Sequence, residues 1–370
     1  MPPRLVRVSP DTNAVNVSAR SAVFYFDETI NDRGTDAQDV ANMFLVSPSD
    51  GAPRISYHRS RIEVRPRHGF RPNTAYTITL LPGLSDLRSN AMKEGRSVVF
   101  STGATIPTAR ITGIAFDWVG GQPAARALIE AMTPDSVVYL AQADSGGRFS
   151  VGPLDPGSYL VRATVDQNDN HRADRGESWD SLRVSAPSSA PVELLTASRD
   201  TLPARLATVT VSDSVTLRLT FDRLLDPAQQ FPLTNFRVAG SDSVPVALTG
   251  VLTPAQEAEL ALTRQRQMAD SARRADSLAG RPLPPVQPAP ASAQDSVPRP
   301  SRPAPFTAIS LVLARPLAPN TPYRARVTTV RALSGRTTES ERLFTTPRAS
   351  APRAAADSAA PRGPAPPARQ

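Results

Sequence analysis

Apolar and polar residues alternate in short runs through residues 1–104, and turn-forming residues break the runs. Ser21-Ala22-Val23-Phe24-Tyr25-Phe26 reads as a strand, as do Arg61-Ile62-Glu63-Val64, Ala75-Tyr76-Thr77-Ile78-Thr79-Leu80 and Val98-Val99-Phe100-Ser101-Thr102. Short strands at this spacing, with almost no helical periodicity, predict an all-β sandwich.

The same signals return far downstream. Val23-Phe24-Tyr25-Phe26-Asp27 is echoed by Leu217-Arg218-Leu219-Thr220-Phe221-Asp222. Arg71-Pro72-Asn73-Thr74-Ala75-Tyr76 is echoed by Ala318-Pro319-Asn320-Thr321-Pro322-Tyr323, and Phe100-Ser101-Thr102 by Phe344-Thr345-Thr346. Three echoes in one order predict two copies of one domain, at 1–104 and 200–347. The second copy carries an insertion, residues 254–305. Thr253 can cap a helix there, with Pro254 in its first position and Gln256 placed to complete a capping box. The Ala, Gln, Glu and Arg that follow predict a solvent-exposed helix, marginal on its own. Residues 281–305 then hold nine prolines, which favour polyproline II or disorder and should lie outside the folded cores. Residues 348–370 repeat that composition as a disordered tail. Between the copies, residues 108–197 form another β unit, with a turn at Pro156-Gly157 between two of its strands. The expected architecture is three β-sandwich modules with a helical and proline-rich insertion.

Composition narrows the chemistry. With no cysteine there are no disulfides, no thiolate metal sites and no cysteine nucleophile. Three histidines leave little material for a zinc site or a Ser-His-Asp triad, and His58, His68 and His171 read as surface residues. The net charge of +8 is nearly all arginine, Lys93 being the one lysine. Much of it lies in the tail (Arg348, Arg353, Arg362 and Arg369 against Asp357), and no basic helix with interleaved aromatics appears, so nucleic acid is not an expected partner. No run approaches the roughly 20 apolar residues of a membrane helix.

The outer copies resemble the bacterial Ig-like domain of the SbsA type, found in surface-layer and other exported bacterial proteins. The residues that carry this are Leu5-Val6-Arg7-Val8-Ser9-Pro10, Phe26-Asp27-Glu28, Pro72-Asn73-Thr74-Ala75-Tyr76 and Phe100-Ser101-Thr102. The middle unit resembles a carboxypeptidase-regulatory or transthyretin-like domain in Gly147-Arg148-Phe149 and Leu154-Asp155-Pro156-Gly157-Ser158-Tyr159. The Ig-like resemblance implies structural modules without an active site. Some relatives of the middle unit form a Lys–Asn isopeptide crosslink, which the position of Lys93 outside this unit excludes.

One cluster has the spacing of a ligand set. Counting Asp166 as position 1, Asn168, Asn170, Asp174 and Glu177 fall at 3, 5, 9 and 12, and Arg172 at 7 offers its backbone carbonyl. That is the pattern of an EF-hand calcium loop, where hard oxygens converge on one ion. Position 6 is His171 where an EF-hand has glycine, and the loop leaves a strand rather than a helix. The alternative is a polar hairpin whose Asn and Asp residues make local turn bonds. Trp118 and Trp179 could form a carbohydrate platform, against the commoner role of a buried sandwich tryptophan. Asp27, Glu28 and Asp222 sit in the repeated strand-end motif, where a turn role outweighs acid–base work.

The function expected is that of a non-catalytic, monomeric protein of the bacterial envelope, joined to an envelope protein or glycan, with carbohydrate binding as the alternative. The opening Met1-Pro2-Pro3-Arg4 shows no export signal. Because the modules resemble exported ones, a start upstream is expected, bearing a lipoprotein signal and the lipid anchor that this sequence lacks.

Overall fold

The computed structural model describes all of the chain except residues 32–39, Arg199, Ser241, 279–297 and 349–370, and only the backbone of 272–278. The tail expected to be disordered therefore lies outside the described residues, apart from Arg348. The regular secondary structure of the described residues is almost entirely β-strand, and they form two compact units. One is built on residues 1–201, joined by Arg273–Phe306; the other is built on Leu202–Ala272 and the strands from Thr307 onward.

The first sandwich uses β1 (Leu5–Ser9), β2 (Ala22–Phe26), β3 (Phe44–Ser47), β4 (Arg54–His58), β5 (Arg61–Arg65), β6 (Ala75–Leu80) and β7 (Arg96–Ser101). They form two sheets, ordered β1-β2-β5-β4 and β3-β6-β7. Period-two alternation decides which side chains turn inward: in β6 these are Tyr76, Ile78 and Leu80. They close on Phe24, Phe44, Ile62 and Phe100 in one core, each such burial worth roughly 1.5–3 kcal/mol.

The second sandwich, in the same unit, uses β8 (Ala109–Asp117), β9 (Gln122–Pro123), β10 (Leu128–Met132), β11 (Val138–Gln142), β12 (Arg148–Leu154), β13 (Gly157–Thr164), β14 (Trp179–Ala186) and β15 (Val192–Thr196). Its sheets run β11-β10-β13-β14 and β12-β8-β15, with β9 paired to β8. β15 lies parallel to β8, while every other pairing here is antiparallel. Ile111, Ile129, Val151, Leu154, Tyr159, Val161 and Leu194 fill the core. Burial, and after it the charges on Tyr139 and Asp155, pushes the Tyr159 phenol up to about 12, so its hydroxyl remains a donor to the Asp155 carbonyl at 2.8 Å.

The second unit holds β16 (Leu206–Asp213), β17 (Thr216–Leu225), β18 (Phe236–Gly240), β19 (Pro245–Val246), β20 (Leu248–Leu252), the helix α1 (Pro254–Leu278), β21 (Phe306–Leu313), β22 (Pro322–Arg331) and β23 (Thr337–Thr345). Its sheets, β16-β17-β21-β20 and β19-β18-β22-β23, follow the strand order of the first sandwich with β19 added at one edge. The match extends to single bonds. Arg4 N–H donates to Asp27 Oδ1 at 2.8 Å, and Arg205 N–H to Asp222 Oδ1 at 2.7 Å. Thr102 donates its hydroxyl to the Arg71 carbonyl and Thr346 to that of Ala318, both at 2.6 Å. Asn73 and Asn320 take left-handed φ of 49° and 50°, a conformation asparagine tolerates better than most residues. Tyr76 stacks on Phe100 at 6.0 Å between centroids, and Tyr323 on Phe344 at 5.9 Å.

Residues 253–305 stand where Arg59 and Ser60 close the β4–β5 turn of the first sandwich. Helix α1 starts with the capping box: Thr253 N–H donates to Gln256 Oε1 at 2.9 Å, and Gln256 N–H points back to Thr253 Oγ1 at 3.4 Å. Beyond Glu257, which faces Arg218 at 3.8 Å, every α1 residue whose side chain is described is exposed. Of the proline-rich part, residues 281–297 lie outside the described residues, and Ser301, Arg302 and Pro303 rest on the surface of the second sandwich, fastened there by contacts that composition cannot reveal.

Candidate functional site

Three places in the first compact unit gather chemistry. The first is the 166–177 loop between β13 and β14. Asp166 Oδ1 accepts from Asn170 N–H at 3.2 Å and Oδ2 from His171 N–H at 2.7 Å. Glu177 closes the far side, accepting from Gln167 N–H at 3.1 Å and Asp174 N–H at 3.0 Å. Asn168 and Asn170 donate their amides to Asp174 Oδ2 at 3.0 and 2.7 Å. Those two donations, Asn168 first, hold the Asp174 carboxyl below its ordinary range. Asn170 Oδ1 in turn accepts from Arg172 N–H at 2.8 Å.

The six residues singled out by spacing thus share one closed hydrogen-bonded loop. It has the local turn bonds of a polar hairpin. His171, at the position where the EF-hand pattern has glycine, takes a left-handed φ of 56°. Among the described residues, no three carboxylates or imidazoles stand close enough together to hold a metal ion.

The second place is the joint between the first two sandwiches, where His171 corrects its expected surface position. Its side chain is only 10% exposed, with Nδ1 3.5 Å from Asp166 Oδ2 and Nε2 against the Asn42 carbonyl of the first sandwich. The loop holds it inward because Asp166 fastens its backbone from below. His58 and His68 do lie exposed, at 47% and 74%. Around His171 the edge strands β3 and β11 meet. Ser49 N–H donates to the Val138 carbonyl at 2.7 Å, Leu140 N–H to Ser47 Oγ at 2.9 Å, and Thr77 Oγ1 to the Gly152 carbonyl at 3.2 Å. A cleft of about 340 Å³ remains, lined in part by Leu45, Leu140, His171 and Glu130. Glu130 is buried, with Oε2 taken by Arg162 at 2.5–2.6 Å.

The third place is Trp118, expected as a sugar platform or a core residue. It is 8% exposed, and its Nε1 donates to the Pro303 carbonyl at 2.9 Å. The Arg302 guanidinium lies 5.0 Å from the ring centre. Its indole is therefore covered by the chain's own proline-rich segment, the reverse of an open sugar platform. Trp179 is half-buried where β14 meets the end of β15, paired to Ala197. Sequence reasoning missed this contact because Ser301, Arg302 and Pro303 look like any other linker residues.

The family profile described as bacterial Ig-like domain matches residues 1–102. No curated protein matches the chain. Similar solved structures include native alpha-2-macroglobulin from Escherichia coli spanning domains MG0-NIE-MG1, at 13% identity over 64% of this chain and 82% of that one, with a TM-score of 0.20. The S-layer protein rSbsC aligns at 9% identity over 92% of this chain, TM-score 0.21, and this chain spans 54% of its length. The chicken CNTN1 FN1-FN3 domains align at 9% identity over 94% and 99%, TM-score 0.16. At these scores the structural likenesses carry no argument about function.

Proposed function

We propose that this chain is a non-catalytic structural protein of the bacterial envelope, which holds its modules at fixed spacing and presents them to an envelope protein or glycan. In this reading residues 1–104 are an SbsA-type Ig-like domain, 108–197 a carboxypeptidase-regulatory-like sandwich, and 200–347 a second copy of the first. The observation that carries it is the joint at β3 and β11. Two edge strands that would otherwise expose unpaired backbone groups cover each other there, which suits a spacer better than a pair of freely hinged domains. The bacterial Ig-like match over residues 1–102 supports the same reading. Fractionation of the producing cells tests it: the chain is expected in the envelope fraction and cleavable by added protease, and recovery only from the soluble cytoplasm would overturn the assignment.

The 166–177 loop serves this role as a stiffener. The left-handed backbone at His171 and the fastening of positions 5 and 6 by Asp166 favour calcium as its ion, held by Asp166, Asn168, Asn170, the Arg172 carbonyl, Asp174 and Glu177. Binding an ion would require these side chains to draw together, because the three carboxylates do not stand close enough to hold one as they lie. Calorimetry is expected to show binding with a dissociation constant on the order of 10⁻⁴–10⁻³ M, as in extracellular modules, and to raise the melting temperature by mass action. Heat unchanged by Asp166→Ala with Glu177→Ala would leave the loop as a turn alone.

A further inference from the structure

Three consecutive residues of the proline-rich segment make three kinds of contact with the second sandwich. Ser301 donates twice to Glu193, through N–H to Oε2 at 3.0 Å and through its hydroxyl to Oε1 at 2.6 Å. Arg302 stacks its guanidinium over the Trp118 ring at 5.0 Å, where a cation meets the electron-rich face of an indole. Pro303 offers its carbonyl to Trp118 Nε1 at 2.9 Å. The receiving groups are held in place. Trp118 N–H donates to the Thr196 carbonyl at 2.9 Å, and the Thr196 hydroxyl to the Phe116 carbonyl at 2.9 Å. β8 and β15 are thereby tied together where the indole leaves the sheet. Glu193 stands on β15 between the core residues Val192 and Leu194, so the alternation of the strand turns its carboxylate outward.

An indole N–H given to a backbone carbonyl, next to an aromatic face and a carboxylate, is the chemistry by which proline-rich ligands are captured. Their chain is already extended and loses little entropy on docking. We propose that the Trp118–Glu193 patch is a recognition site for proline-rich, arginine-bearing peptides, and that Ser301-Arg302-Pro303 is its resident occupant. All three contacts come from one tripeptide, so a separate peptide of the same chemistry can reproduce them. The resident segment excludes it because tethering gives it an effective concentration on the order of millimolar. This inference is independent of the structural role proposed above and can fail without it.

The test uses the full chain and a fluorescent peptide copying residues 298–305, read by anisotropy. Ser301 and Arg302 are exposed, so Ser301→Ala with Arg302→Ala frees the patch without touching a core. That variant is expected to bind the peptide at least tenfold more tightly than the parent chain. Adding Glu193→Gln or Trp118→Phe is expected to abolish the gain, with unchanged melting curves showing that each variant is folded. Equal binding by parent and variant, no binding by either, or a gain that survives both Glu193→Gln and Trp118→Phe would overturn the proposal.

Discussion

Tyr76 and Tyr323 each accept a hydrogen bond from the backbone N–H five residues upstream, from Arg71 at 2.8 Å and from Ala318 at 3.1 Å. The two bonds are alike in geometry but not in surroundings: Tyr76 is 1% exposed, whereas Tyr323 is half-buried. Removing the Tyr76 hydroxyl leaves Arg71 N–H without its partner beside the core, a loss of about 1 kcal/mol. Water can take over at Tyr323. Tyr76→Phe is therefore expected to lower the urea midpoint of the first unit clearly, and Tyr323→Phe to shift the second unit by less. These corners were legible in the sequence because Pro-Asn-Thr dictates them: proline fixes one φ and asparagine accepts the left-handed turn. His171 was not legible. Its burial depends on Asn42, far away in the chain, and no local pattern encodes a partner at that distance.

The elements show the same division. Strands such as β2, β5, β6 and β7 could be read from short alternating runs, and α1 from Thr253, Pro254 and Gln256, because these signals act over a few residues; β3 and β10, buried at nearly every position, carry no such alternation. The docking of Ser301, Arg302 and Pro303 could not, since proline content reports on backbone freedom and not on what the backbone touches. The 166–177 loop lies between: spacing placed its six residues together, but only the folded backbone shows that His171 takes a left-handed φ of 56°. For α1 the exposure of its described side chains gives a direct expectation. Replacing residues 254–278 by a short Gly/Ser linker should leave the thermal transition of the second unit within about 1 kcal/mol of the parent, since closure cost varies only slowly with loop length. A larger loss, seen by calorimetry, would mean that the helix supports the sandwich.

At the scale of the molecule, the joint between the first two sandwiches depends on residues that neither core uses. Leu45 is 3% exposed yet lies between Phe44 and Val46, which fill the first core, so its side chain faces the other way, into the cleft shared with the second sandwich. Leu45→Asp would place a carboxylate in that cover, where burying a charge is costly without a partner. The expected result is two intact sandwiches on a loosened connection, with thermolysin cutting faster between β7 and β8 while both cores keep their cooperative melting.

The parallel pairing of β15 with β8 has a mechanical consequence. The chain enters the second sandwich at the start of β8 and leaves it at the end of β15, and these ends lie at opposite limits of one ladder running from Val192 opposite Gly113 to Thr196 opposite Asp117. A pull along the chain therefore slides the two strands past each other and loads the whole ladder at once. Antiparallel terminal strands would bring both points of attack to the same end, where the bonds open one after another like a zip. The middle sandwich is thus wired as a lap joint, the arrangement that resists tension best for the number of bonds it holds.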